Sequence, residues 1–561
     1  MKSVISSPES LKNMEYKDLK ELCTGIRENI IDYTAENGGY MASNLSNVEI
    51  AVVLNKVFDQ NSTILYAADD LNYADLLLRG REDLSGKETG RRDVLAESLG
   101  MASANSLDKN DKSVIAVINS VNLLSSKGLE ALQMIHSSKN KVIIVFNDTR
   151  NGKNVKILDK VISRLRNTKS YNALKENVKN TIRPVKFGDQ IIENIHDLKG
   201  KVRKTIVDEG VFAQYDIDYI GPVNGHDLKD LERAFELAKE KDSSVVVHCA
   251  TVSGKGYDFA EKDLNRSFEK IGKFNKQTGQ PLHCEDENYC YASRILCRFI
   301  QKQMIKDKKL CCVISEDQNR NGVNELFAAY PEKCFATQTD ISSSVSFAQG
   351  LLENGYGVYL PVKASELAEA YPALIRIKEK YDKPVIFSLI KDVAVNYDLL
   401  NTLDKLHICE PKDADGIQDT AKKALDSSYS TMIIIPDECM DSALTNVDKN
   451  MKREGWQKEN KNDRNEVALL VCGPKTKMIQ KIIESNSLLY DLYEMLYLNP
   501  IDEECLKEIF KKHRLVFVYG DQFRNRILDY RQKHKILTET VFIEKEDISE
   551  LFKGMKEVID A

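Results

Sequence analysis

Residues 216–235 read DIDYIGPVNGHDLKDLERAF, and this stretch decides the architecture of the first half of the chain. A strand-like entry runs into Gly221-Pro222 and Asn224-Gly225, then into a helix that opens on His226 and Asp227. Leu228, Leu231, Phe235 and Ala238 recur at three-to-four spacing, which marks one apolar face of a helix. Asp227 stands where a side-chain oxygen caps the first free amides of that helix. Glycine loses more backbone freedom on folding than any other residue, so a turn this rich in it is built to hold something in place.

Outward from this turn, strand-length apolar runs alternate with amphipathic stretches. SVIAVIN (113–119), KVIIVFND (141–148) and SVVVHCA (244–250) are continuous rather than alternating. That pattern suits parallel strands covered on both faces. A second set follows residue 288 (LCCVISED, YGVYLPV, KPVIFSLIKD, TMIIIP), and a third contains EVALLVCG and RLVFVYGD. Three blocks of strand–helix alternation predict three parallel α/β domains. The stretch 446–465 is charged and nearly free of apolar residues, which predicts an exposed linker. The expected division is therefore 1–285, 286–445 and 466–561, with 446–465 as the connection.

The 561 residues are 42% apolar and 30% charged, an ordinary globular composition. No run of about 18 apolar residues is present, so no membrane span is expected, and the first residues lack a secretory apolar core. Cytoplasm is the expected location. The net charge of −6 is spread over both signs along the chain, which argues against a nucleic-acid surface. The twelve cysteines are scattered and read as reduced, buried thiols. His283, Cys284, Cys290 and Cys297 lie close together but fit no common zinc spacing, so no metal site is assigned to them.

YIGPVNGHD together with VSGKGYDFAEKD (252–263) resembles the 1-deoxy-D-xylulose-5-phosphate synthase family, whose transketolase-like enzymes depend on thiamine diphosphate and serve isoprenoid precursor synthesis. GGYMASNLSNVEIAVVLNKVFD (38–59), SLGMA (98–102) and LNPIDEECLKEIFKKHRLVFV (498–518) resemble further family segments in the same order. The resemblance implies a three-domain fold: two thiamine-diphosphate-binding-type parallel-sheet domains, for diphosphate (1–285) and pyrimidine (286–445), and a transketolase-type C-terminal domain (466–561). It also implies a homodimer.

The family holds the cofactor's diphosphate through a divalent cation bound by a Gly-Asp-Gly turn and an Asn-Asp-Asn turn. At these places the chain reads VINSVNLLSS and FNDTRNG, so the ligand positions fall on Ser120 and Thr149. Magnesium requires hard oxygen ligands, normally including a carboxylate, and Val121 in place of glycine obstructs close approach of backbone to phosphate. No metal ligand is assigned. The family's activating glutamate falls on Ile341, with Asp340 one residue away. Family histidines fall on Tyr40 and near Asp70, and substrate-phosphate arginines fall on Glu369, Ile434 and Asp437. The catalytic residues are accordingly left unassigned.

Two candidates for cofactor contact remain. Tyr257 matches a family tyrosine near the cofactor and also reads as a core aromatic. Lys255, in SGKG (253–256), could meet a phosphate together with backbone amides. His226, at the helix start, reads as a hydrogen-bonded structural histidine rather than a proton carrier. The expectation is a catalytically degenerate synthase homologue with a regulatory or binding role, possessing neither magnesium nor thiamine diphosphate chemistry, and pairing with itself or with an active relative. One alternative is an active thiamine-diphosphate enzyme that joins pyruvate to glyceraldehyde 3-phosphate or related substrates, with Arg91, Arg92 and Lys255 compensating the diphosphate. The other is a non-enzymatic interaction protein.

Overall fold

The computed structural model describes residues 8–561 except 59–60, 68–70, 82, 85–92, 150–211, 213–214, 216, 264–266, 270, 283–288, 316–321, 338–340, 442–454, 461–465, 486–487, 521, 544–550 and 557–561. The chain divides into two compact units, Met1–Leu282 and His283–Ala561.

The first unit is built on a five-stranded sheet of β1 (Thr63–Tyr66), β2 (Val114–Asn119), β3 (Ile143–Thr149), β4 (Asp218–Asn224) and β5 (Val245–Thr251). The order is β1-β2-β3-β5-β4, and every pairing is parallel. The central strands are buried through their first five residues, as their continuous β-branched runs require, and partly exposed near their carboxyl ends. The helix Val48–Val57 lies deep in this unit and is buried over most of its surface, Glu49 and Asn55 included. Helix Leu228–Glu240 packs against it through Leu228, Leu231, Ala234, Phe235 and Ala238.

From the bend within β4 at Gly221 to the start of that helix, the backbone lies close against β5. Gly221 has φ +138°, and a Cβ there would stand 2.7 Å from the His248 carbonyl oxygen. At Gly225 an added Cβ would meet Thr251 Cγ2 at 2.4 Å. The Gly221-Pro222 peptide is cis, and the β4–β5 register shifts between Ile220 and Val223. Asp227 caps the helix as its position implied, accepting from the amides of Lys229 and Asp230 at 2.9 and 3.1 Å.

The second unit contains β6 (Tyr289–Tyr291), β7 (Leu310–Ser315), β8 (Cys334–Thr337), β9 (Gly357–Lys363), β10 (Val385–Lys391), β11 (His407–Cys409), β12 (Thr431–Pro436), β13 (Cys439–Asp441), β14 (Gln457–Lys458), β15 (Val467–Val471), β16 (Asp491–Glu494), β17 (Tyr497–Asn499), β18 (Leu515–Tyr519) and β19 (Glu539–Ile543). A seven-stranded sheet has the order β17-β11-β12-β10-β9-β7-β8, and a five-stranded one runs β14-β16-β15-β18-β19. Both are parallel apart from one antiparallel edge strand each, β17 and β14. One apolar core joins them, containing Val358, Phe387 and Ile434 from the first and Ala468, Leu470 and Val516 from the second. The fold is α/β on parallel sheets, the expected class.

Residues 455–460 do not form part of an exposed linker. Trp456, the chain's one tryptophan, is 4% exposed, and its Nε1 donates to the Tyr497 carbonyl at 3.0 Å. Gln457 and Lys458 then pair with β16. The buried ring, the strand pairing and the Lys458–Asp491 ion pair at 3.0 Å together hold this short polar stretch on the sheet. The cysteines also depart from expectation at one place, since Cys439 is disulfide-bonded. Among the described residues no helix is long and apolar enough to cross a membrane.

Candidate functional site

In open parallel sheets ligands bind beyond the carboxyl ends of the strands. In the first unit those ends are Asn119 on β2, Thr149 on β3 and Thr251 on β5. Asn119 is turned onto its own helix start. Its side chain accepts from the amides of Val121 and Asn122 at 2.9 and 3.1 Å, and the Asn122 side chain accepts from its amide at 3.2 Å. Ser120 is the first residue of the short helix Ser120–Leu124 that follows.

At the end of β3, Asn147 is fully buried. Its Nδ2 donates to Ser46 Oγ at 3.2 Å and to Asn47 Oδ1 at 3.4 Å. Its Oδ1 accepts from Thr251 Oγ1 at 2.5 Å and from Thr149 Oγ1 at 3.4 Å. Thr149 Oγ1 also lies 3.4 Å from Ser46 Oγ and 3.3 Å from Thr251 Oγ1. Every group in this knot is neutral. Hydroxyls and amides satisfy one another there, and the donor set supplies no carboxylate to a divalent cation. These residues do not fit a magnesium–diphosphate site.

The neighbouring carboxylate points elsewhere. Asp148 Oδ2 lies 3.0 Å from His248 Nε2, and His248 Nδ1 lies 2.6 Å from the Tyr219 hydroxyl. A neutral ring that accepts from the phenol and donates to Asp148 satisfies all three groups. His248 is fully buried, in contact with the Phe146 ring. Sequence reasoning missed it. The only signal was a lone histidine inside the apolar run SVVVHCA.

A second polar cluster explains the turn at 221–227. Glu49, 8% exposed, accepts from Arg27 at 2.5 Å and from His226 Nδ1 at 3.0 Å. His226 Nε2 accepts from the Val252 amide at 2.9 Å, which leaves the proton on Nδ1, facing Glu49. Burial pushes the Glu49 carboxyl up, but the hydrogen bonds from His226 and Arg27 and the charge beside it together outweigh burial and hold it below its ordinary value. His226 is thus a structural tie among three segments. The turn holds a histidine, and the histidine holds Glu49.

The loop carrying Lys255 is arranged around a carboxylate of its own. Gly254 and Gly256 have φ of +69° and +88°. The Gly256 amide donates to Glu261 Oε1 at 2.7 Å, and Lys255 Nζ lies 3.6 Å from the same oxygen. The Lys255 carbonyl accepts from Arg27 Nε at 2.9 Å. Tyr257 is 8% exposed, among the rings of Phe259, Phe268 and Phe274. Its hydroxyl donates to the Lys276 carbonyl at 2.9 Å, and burial raises its pKa. The structure therefore puts Tyr257 and Lys255 two residues apart, with the tyrosine turned into the core and the lysine half-exposed beside Glu261.

In the second unit Ile341 begins helix Ile341–Glu353 and is 1% exposed, packed in the core. Ser344 is fully buried and shares a short hydrogen bond with Thr337. Ile434 is buried within β12, and Glu369 and Asp437 are half-buried. Asp70, Arg91, Arg92, His283, Cys284 and Asp340 lie outside the described residues. Sequence reasoning also missed Glu410. It is 2% exposed and accepts from Lys391 Nζ at 2.8 Å and the Tyr397 hydroxyl at 3.0 Å. Among the described residues no group of three or more His, Cys, Asp or Glu side chains is placed to hold a metal.

A family model described as 1-deoxy-D-xylulose-5-phosphate synthase matches residues 2–93 and 87–251. The chain is similar to the 1-deoxy-D-xylulose-5-phosphate synthase of Clostridium acetobutylicum, at 28% identity over 91% of this chain and 88% of the relative. The corresponding enzyme of Clostridium tetani is 26% identical over 93% and 90%, and that of Caldanaerobacter subterraneus 25% over 98% and 96%. Among solved structures, a transketolase from Campylobacter jejuni aligns over 95% of this chain and 96% of its own, at 11% identity and a TM-score of 0.38. An inactive split-gene transketolase tetramer covers 47% of this chain and 93% of its own, at 14% identity and a TM-score of 0.40. With similarity to these relatives running over nine-tenths of the chain and the family segments in their order, the chain is similar to the 1-deoxy-D-xylulose-5-phosphate synthases almost throughout.

Proposed function

We propose that this protein is a catalytically degenerate homologue of 1-deoxy-D-xylulose-5-phosphate synthase with a regulatory or binding role. The observation that carries the reading is the neutral knot of Ser46, Asn147, Thr149 and Thr251, in which Thr149 is the residue that the resemblance sets at one of the family's cation-ligand positions. A diphosphate brought there without a cation would need cationic side chains. Lys255 is already matched by Glu261. The position of the activating carboxylate is taken by Ile341, whose side chain is committed to the core.

In this reading the scaffold has been kept for what it assembles with. The protein is a cytoplasmic homodimer, or pairs with an active relative, and follows the family plan of domains 1–285, 286–445 and 466–561. The test is an assay of the purified protein with pyruvate, glyceraldehyde 3-phosphate, thiamine diphosphate and magnesium. The expected outcome is no deoxyxylulose phosphate above the protein-free control. Sustained multiple turnover would overturn the reading in favour of the active-enzyme alternative.

A further inference from the structure

A group of thiols in the second unit lies apart from every position considered above. Cys312 on β7 and Cys334 on β8 are direct partners in the parallel ladder, pinned by the Cys312 amide donating to the Lys333 carbonyl at 2.9 Å. Adjacent strands lie about 4.8 Å apart, inside the Cα separation that a disulfide spans. Partners in register present their side chains to the same face of the sheet, and both thiols enter the same apolar core. Cys312 is fully buried and Cys334 is 7% exposed. β8 is a four-residue edge strand, bonded to the sheet through β7 alone. Such a strand can yield the small further approach that an S–S bond needs.

We propose that Cys312 and Cys334 form a reversible dithiol–disulfide pair oxidised by hydrogen peroxide, with Cys334 the attacking thiol and Cys312 the resolving one. The adjacent Cys312 thiol holds the Cys334 thiol below its ordinary value, whereas burial pushes Cys297 and Cys505 up to about 12. Thiolate character governs attack on a peroxide. The Cys334 sulfur attacks one peroxide oxygen, the O–O bond breaks, and hydroxide leaves and takes up the thiol's proton to become water. Cys312 sulfur then displaces the second oxygen from the sulfenic acid. The S–S bond forms, the S–O bond breaks, and that oxygen leaves as water carrying the Cys312 proton. Two thiols have lost two electrons and two protons, and the peroxide has become two waters.

The experiment uses the full chain treated with one equivalent of hydrogen peroxide, then alkylated under denaturing conditions and mapped by mass spectrometry. The expected product is a peptide linking Cys312 to Cys334, formed about tenfold faster than any oxidation of Cys505 and reversed by dithiothreitol. In Cys312→Ser the expected product is a dimedone adduct at Cys334, with no linked peptide. Retention of both thiols in the wild type while Cys505 oxidises would overturn the proposal. So would a link from Cys334 to Cys297. The wild-type measurement stands whether or not the variant folds.

Discussion

At the residue scale, the most exacting demand is made by Glu49, a charge buried inside the first unit and satisfied by one guanidinium and one imidazole. Breaking a buried pair on one side strands the other charge. Arg27→Met should therefore cost about 3 kcal/mol, read as a lower urea midpoint, and a loss below about 1 kcal/mol would contradict the role given to the pair. The sign of the pH dependence follows from the same contacts. Because the folded carboxyl lies below its ordinary value, its contribution is complete above the unfolded carboxyl's value of about 4.3 and is lost as pH falls through the folded one. Urea midpoints measured from neutral to acid pH should fall below about pH 4 in the wild type and fall less in Glu49→Gln; equal acid profiles would contradict the assignment. Tyr257→Phe removes a single bond to the Lys276 carbonyl and should cost about 1 kcal/mol, whereas an unchanged melting temperature would place that hydroxyl outside the fold's stability. His226 and Tyr257 were legible in the sequence as structural residues because each sits at an element boundary, just before a helix. Their partners were not. Glu49 lies 177 residues from His226, and no local pattern announces a contact at that separation. Asp148 and His248, a hundred residues apart, were hidden in the same way.

At the scale of elements, the turn 221–227 and the helix after it behave as one device. Asp227→Ala removes the cap of helix Leu228–Glu240 and should cost about 1 kcal/mol, measurable by chemical denaturation. Gly225→Ala places a methyl 2.4 Å from Thr251 Cγ2 and should destabilise by about 1–3 kcal/mol. Adding Thr251→Ser, which deletes that methyl and keeps the hydroxyl bonded to Asn147, should recover part of the loss. If the double variant is no better than the sum of the two single changes, the steric cause is wrong. The buried parallel strands were legible because β2, β3, β5, β12 and β15 are unbroken apolar runs. β14 and β17 were not, being two and three residues long. Nothing periodic fits into so few residues, and both are recruited by neighbours already in place, β16 and β11.

At the scale of the molecule, the chain has two compact units carrying three substantial parallel sheets, and large apolar runs with turn glycines made that much readable. The chemistry at the sheet's edge was readable only as substitutions. That Ser120 and Thr149 are not carboxylates could be seen from residue identity. That Thr149 is tied into Ser46, Asn147 and Thr251 depends on three segments meeting in space. The central claim is that this edge accepts no magnesium–diphosphate. Its most direct test is calorimetric titration of the purified protein with thiamine diphosphate, with and without magnesium, alongside thermal melting. A ligand at a hundred times its dissociation constant would add about 2.7 kcal/mol to stability, so binding could not pass unseen. The account predicts no heat of binding and no melting shift under either condition; magnesium-dependent heat with a raised melting temperature would contradict it.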